Sequence, residues 1–341
     1  MAQTASRFAG AIDHDWLNKH VEPILEPDLP IVDPHHHLWT RDGNIYLLPE
    51  LLADLASGHN IVATVFEECH SMYRPDGPAE EKSIGETEFV TGIAAMAASG
   101  AFGPSGACRR MVGNVDLMTG DRAKHPLERH VIASGGRFAG IRQSTAWDGH
   151  DRVHKVVPTP EMLMDTTFRA GFAGLAALGL VFDAWVYHPQ LKEVADLASA
   201  FPNTQIVLNH VGSPILGGPY AADRAKVFDD WKAGMADLAK RQNVTVKLGA
   251  LPIRLPGDGS SKDMPPSSEE LARAWRPWLE TSIELFGADR CMFESNFPVQ
   301  KRWCSFPVVW NGFKRIAANA SADEKAALFA GTAARVYGVP L

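Results

Sequence analysis

Long apolar runs are missing from this 341-residue chain. No stretch approaches the ~20 residues that a membrane-spanning helix requires, so no membrane partner is expected. Runs of Lys and Arg are missing too, and the formal net charge is −7. A nucleic-acid partner is excluded on that ground, because phosphate neutralisation needs a basic patch. Cysteine is scarce: Cys69, Cys108, Cys291 and Cys304 show neither CxxC spacing nor a paired pattern. They read as reduced, buried thiols rather than as a disulfide framework or a metal knuckle. Met1 to Gly10 lack an apolar core and a cleavage signature, which points to a cytoplasmic protein without a secretion signal.

What is present is an ordinary globular composition, 45% hydrophobic and 21% charged, without low-complexity tracts. Short β-branched runs recur at Ile31–Trp39, Ile61–His70, Arg110–Leu117, Phe138–Trp147, Leu180–His188, Gln205–Gly212, Val244–Leu251 and Cys291–Val299. Helical segments lie between them. Thr159-Pro160 and Pro189 look like helix starts, and Ser267–Glu270 and Ser321–Glu324 fit the S-x-x-E capping box. Gly58, Gly179 and Gly287 stand where helices should stop. Eight strands alternating with helices predict parallel pairing and closure into a (β/α)8 TIM barrel. Residues 1–30 are expected to form a leader packed outside a single domain of residues 31–341. Two insertions after strands, Ser71–Glu88 and Pro252–Pro266, are candidates for a substrate lid.

Polar residues near the strand ends supply the chemistry. In Asp33-Pro34-His35-His36-His37, alternation puts His35 and His37 on one face and His36 on the other. In Glu67-Glu68-Cys69-His70, Glu68 is the carboxylate in phase with His70, and is therefore expected to look inward. Arg142 interrupts an apolar strand and needs a carboxylate or an anionic ligand; an internal pair with Glu68 or Glu294 is the structural alternative. His188 and His210 close the fifth and sixth runs. Lys247 is a charge inside an apolar strand, expected at the barrel mouth or snorkelling to water. Glu294 and Asn296 share a face on the eighth strand. Tyr73 and the tryptophans near the mouth suit a cyclic or aromatic substrate, most of the nine tryptophans being expected to pack helices.

The H-x-H on strand one, single histidines on strands five and six and the S-N-F-P on strand eight resemble the amidohydrolase superfamily, and more narrowly the amidohydrolase-2 family of TIM-barrel hydrolases. The likeness runs from about Leu29 to Val339. It implies attack of an activated water on a lactone or similar ester-like carbonyl of a small-molecule substrate, and a possible homo-oligomer. It implies that His35, His37 and His188 hold a metal or polarise the substrate, and that His210 is the strand-six histidine. Arg142 matches a strand-four arginine that binds an anionic group; on the reading of the residues themselves, Lys247, His70 and Tyr73 are further candidate substrate contacts. One departure stands out. Strand eight of the superfamily usually carries Asp where this chain has Asn296, and an amide neither accepts a proton nor rivals a carboxylate as a ligand. Glu294 is the nearest compensating base and Glu68 the second. One divalent ion, Zn or Mn, or a metal-independent reaction are both compatible with this set. A non-oxidative decarboxylase and a non-catalytic binding barrel are the rival readings.

Overall fold

The computed structural model describes residues 11–41, 43–103, 105–255 and 263–341. Eight parallel strands form one sheet: β1 (Ile31–His36), β2 (Ile61–Glu67), β3 (Arg110–Gly113), β4 (Phe138–Arg142), β5 (Val181–Ala184), β6 (Ile206–Leu208), β7 (Val244–Leu248) and β8 (Cys291–Phe293). Each pairs with the next in chain order, as short βαβ units require. The ring closes just beyond β8. His36 bridges Phe297 in parallel, Asn296 N–H donates to the His35 carbonyl at 2.9 Å, and His37 N–H donates to the Phe297 carbonyl at 2.7 Å. The side chain of Asp33 joins the seam by accepting from Ser295 N–H at 3.0 Å. The expected (β/α)8 barrel is the fold.

The strands are shorter than the apolar runs suggested. β1 stops at His36, and Trp39–Arg41 starts a separate antiparallel hairpin with Asn44–Tyr46. β5 stops at Ala184, so His188 lies in a helical turn, His188–Gln190, four residues past the strand. Past the strand ends the chain turns sharply, and non-glycine residues with positive φ gather there: His70, Met72, His210, Val211, Ser213, Ala250 and Asn296. Such conformations persist where the surroundings over-determine them, commonly at functional sites.

Helix signals mostly act where expected. Ser267 and Ser321 cap helices Ser268–Phe286 and Ala322–Ala326 through reciprocal bonds with Glu270 and Glu324. Gly58, Gly179 and Gly287 take positive φ as the chain leaves its helices. Thr159-Pro160 does not open a helix; Asp165 does, accepting from the N–H groups of Thr167 and Phe168. An aspartate acceptor satisfies the first-turn donors that Pro160 lies too early to meet. The first insertion is shorter than read, because helix Ile84–Ala98 begins inside it and Glu86 accepts from Cys69 and Ser71 N–H. Within Pro252–Pro266, residues 256–262 lie outside the described residues, as do residues 1–10 at the leader. Glu22, Pro23, Leu25 and Glu26 of the leader bond to Ser268, Asn311, Lys314 and Lys325 on the outer helices.

Two apolar clusters follow from strand alternation. The larger lies between barrel and helices and includes Phe66, Ile141, Phe182, Leu208, Val246 and Phe293, together with the tryptophans Trp231, Trp275 and Trp310. The smaller one is the barrel interior. Val32, Ala63, Val65, Val112, Val181, Val207 and Met292 pack there against Ala330, Ala333, Ala334, Tyr337 and Val339. The last helix, Thr332–Tyr337, thus plugs the end of the barrel where the strands begin.

Candidate active site

One alternation step above this floor the interior turns ionic. Val65 gives way to Glu67, Gly140 to Arg142, Val181 to Asp183, Val207 to Asn209, Thr245 to Lys247 and Met292 to Glu294. All six upper residues are buried. Lys247 Nζ donates to Glu67 Oε2 at 2.7 Å and to Asp183 Oδ2 at 2.6 Å. Asn209 and the Tyr337 hydroxyl also donate to Asp183. Burial opposes the charge on Lys247, yet Asp183 and Glu67 more than offset it and hold the ammonium above its ordinary pKa. Burial and the nearby Asp183 push Glu67 well above the usual carboxylate range.

Above Lys247 sit the imidazoles. His210 donates from Nδ1 to Glu294 Oε1 at 2.7 Å, and its backbone N–H reaches the same oxygen at 3.1 Å. That fixes the His210 tautomer and leaves its Nε2 as an acceptor. His37 Nδ1 lies 2.9 Å from the Glu67 carbonyl, which can only accept, so His37 Nε2 is an acceptor as well. His35 Nε2 stands 3.3 Å from it and His35 Nδ1 stands 3.4 Å from Lys247 Nζ. In one tautomer Lys247 donates to His35 Nδ1 and His35 Nε2–H donates to His37; in the other, His35 Nε2 accepts from Arg142 NH1 at 3.4 Å. Burial, with Lys247 next, pulls His35 well below the ordinary histidine pKa, so the ring is neutral. Room for Glu294 comes from Gly249, where a Cβ would lie 2.5 Å from the Glu294 carbonyl and 2.7 Å from its Cγ.

The first tautomer leaves a gap that bears on metal binding. Glu294 Oε2 has no hydrogen-bond partner, yet lies 2.7 Å from His35 Nδ1. Two buried acceptors at that separation are a place for a cation. His35, His210 and Glu294 offer ligand atoms within 4.8 Å of one another, the one such group among the described residues. Two imidazoles and a carboxylate suit zinc. The donors fit a divalent ion, although Lys247 Nζ and Arg142 NH1 each stand 3.4 Å from a His35 ring nitrogen and oppose it electrostatically.

The expected residues are therefore only partly gathered. His35, His37, His210, Glu294, Arg142 and Lys247 meet in the barrel. His188 does not join them: its Nδ1 faces Ile215 N–H at 3.4 Å and its ring abuts Tyr220. The expectation of a three-histidine set with His188 is corrected by the early end of β5. The inward carboxylate on β2 is Glu67, not Glu68, because the strand ends at Glu67 and His70 has φ 61°, which breaks the phase counted back from His70. Glu68 instead accepts from Arg142 Nε at 2.7 Å, while Arg142 NH2 donates to the Glu68 carbonyl at 2.5 Å. Arg142 thus takes the internal pair weighed as its alternative, and Lys247 neither snorkels nor faces the mouth, being fully buried between two carboxylates. His70 is exposed beside Glu68 and stacks on Tyr73. Asn296 lies on the closing seam with φ 53°. His36 points away from the interior, 2.8 Å from the Thr64 hydroxyl. Glu67 was the other carboxylate of that register choice, whereas Asp183 and Tyr337 were not foreseen; the phase with Val65 and Val181 was the signal for Glu67 and Asp183.

The amidohydrolase family model (Amidohydro_2) matches residues 32–339. The chain belongs to this amidohydrolase family. It is accordingly a hydrolase enzyme. An uncharacterised protein of Sinorhizobium fredii, y4mH, is 32% identical over 334 residues, 92% of this chain and 99% of that one. An L-fucono-1,5-lactonase of Burkholderia multivorans is 31% identical over 177 residues, covering 52% of this amidohydrolase and 57% of the lactonase. A crystal structure of an amidohydrolase from Burkholderia multivorans with bound zinc aligns with TM-score 0.66 and 24% identity, covering 91% of this chain and 99% of that one. No helix among the described residues of the amidohydrolase is long and apolar enough to cross a membrane.

Proposed function

We propose that this amidohydrolase opens a small lactone, with His210 as general base and Glu294 as the group that orients it. The observation that carries the reading is the Glu294–His210 pair. A buried carboxylate holds Nδ1–H, and the opposite nitrogen of a ring that is still 8% exposed is left to take a proton. In the reaction, His210 Nε2 removes a proton from water as the water oxygen bonds to the lactone carbonyl carbon. When the carbonyl reforms, the ring C–O bond breaks and its electrons leave on the ring oxygen, which takes the proton back from His210. The product is a hydroxy acid. The part-length likeness to a lactonase supports this choice of bond.

His35 Nδ1 and Glu294 Oε2 would hold a divalent ion while His210 Nε2 stays free as the base, and zinc is our choice from these imidazole and carboxylate donors and from the zinc in a solved relative. Its contribution would be Lewis-acid polarisation of the carbonyl. Purified protein offered a panel of neutral and carboxylated sugar lactones tests the reading by acid release in weakly buffered indicator. Acid release without carbon dioxide is expected. Carbon dioxide evolution from hydroxylated benzoic acids would favour the decarboxylase. Silence on both panels would favour a binding barrel.

A further inference from the structure

The two cations that the sequence offered for an anionic substrate are committed elsewhere. Arg142 is held by Glu68, and Lys247 by Glu67 and Asp183. A cavity of about 330 Å³ opens between the segments that follow β4, β5, β6 and β7. Its wall includes Ser213, whose N–H donates to the His210 carbonyl at 2.8 Å, so cavity and proposed base share one turn of chain. Val153, Tyr187, Ile215 and Leu251 give it apolar surface. No carboxylate lines it, and among its lining residues Arg152 is the one permanently charged side chain. Arg152 is exposed, and no ion pair or side-chain hydrogen bond engages its guanidinium among the described residues. Asp151, its neighbour in sequence, faces Lys155 at 3.6 Å.

The backbone around Arg152 is nonetheless fixed. Tyr187 donates its hydroxyl to the His154 carbonyl at 2.9 Å, and Val156 N–H donates to the Ala146 carbonyl at 2.9 Å. Gln190 ties the same segment to the one after β5, donating to the Thr145 carbonyl at 3.0 Å and accepting from Trp147 N–H at 2.9 Å. An uncommitted guanidinium on a tethered loop, beside a cavity without acidic groups, is suited to bidentate capture of a carboxylate.

We infer that this cavity is the substrate subsite and that Arg152 selects lactones bearing a carboxylate away from the ring ester. The inference rests on the proposed hydrolysis for its substrate class, but the binding it asserts is measurable without turnover. The probes are galactono-1,4-lactone and galactaro-1,4-lactone, which differ by a hydroxymethyl group against a carboxylate, and their ring-opened acids for calorimetry. In Arg152→Gln the KM for the carboxylated lactone should rise roughly tenfold or more, the size of a lost charge-assisted hydrogen bond. Its kcat and the KM for the neutral lactone should stay near wild type. Arg152→Lys should recover part of the loss, and raised salt should weaken the carboxylated ligand in wild type more than in Arg152→Gln. Equal effects on both ligands, or none, would overturn the inference even if hydrolysis is rapid. If neither lactone is opened but galactarate binds more tightly than galactonate in an Arg152-dependent way, the lactonase reading fails and this subsite stands.

Discussion

The floor and the upper ring of the barrel are two residues apart on the same strands, a rise of about 7 Å, and are stabilised by different physics. The floor, from Val32 round to Met292, is aliphatic and closed from below by the helix ending at Tyr337. It is specified by volume, so substitutions that preserve size and apolarity are the tolerated ones. The upper ring, with Glu67, Arg142, Asp183, Lys247 and Glu294, is specified by pairing. Removing one member there strands its partner in a dry interior. The floor therefore holds the strands in register, while the ring fixes the imidazoles above it, and the two are linked where Tyr337 reaches Asp183.

The sharpest way to break this contrast is Lys247→Met. It leaves Glu67 and Asp183 facing each other without a cation, and should cost about 3–5 kcal/mol of stability. The sign with pH follows from Glu67, whose folded pKa is already raised by burial and by Asp183. A carboxyl raised in the folded state contributes stability below its unfolded pKa and loses it as pH rises through the folded value. The Lys247→Met deficit should accordingly be small near pH 4 to 5 and grow toward neutrality in urea titrations. A deficit independent of pH would mean that packing, not charge, sets the ring. Tyr337→Phe sharpens the comparison from the other side. Asp183 keeps Lys247 and Asn209 as donors, so the loss should be only about 1 kcal/mol, measured as a urea midpoint shift. Unchanged kcat would confirm that the floor positions nothing reactive, whereas a large kcat loss would merge the two layers into one machine.

How much of this was legible depends on how local the signal is. The eight strands were, because alternation of β-branched and polar residues repeats within each short run. Strand ends were not. His188 reads as a strand-end histidine until β5 stops at Ala184, and Glu68 reads as inward until left-handed backbone at His70 breaks the count. Glu294 and Asn296 read as sharing a face of strand eight, but β8 stops at Phe293, Asn296 takes φ 53°, and the partner of Glu294 lies 84 residues away in His210. Sequence spacing carries no trace of such a contact. Arg142 reads with several outcomes, an anionic ligand or a pair with Glu68 or Glu294, and burial of the guanidinium against Glu68 is what the fold provides. Asp183 was hidden because a single carboxylate inside an apolar run looks like noise until Lys247 is placed beside it.

The central claim is that Glu294, through His210, carries the chemistry, while Glu68 serves the scaffold through Arg142. The most direct test is kcat and KM for Glu294→Gln and Glu68→Gln, measured side by side on the best lactone found. Glu294→Gln should lose at least about a hundredfold in kcat with KM little changed, because His210 then loses the carboxylate that orients it as general base. Glu68→Gln should lose mainly stability, with most of its turnover intact. A Glu294→Gln enzyme that keeps its rate while Glu68→Gln is dead would contradict the account and move the base to the end of β2.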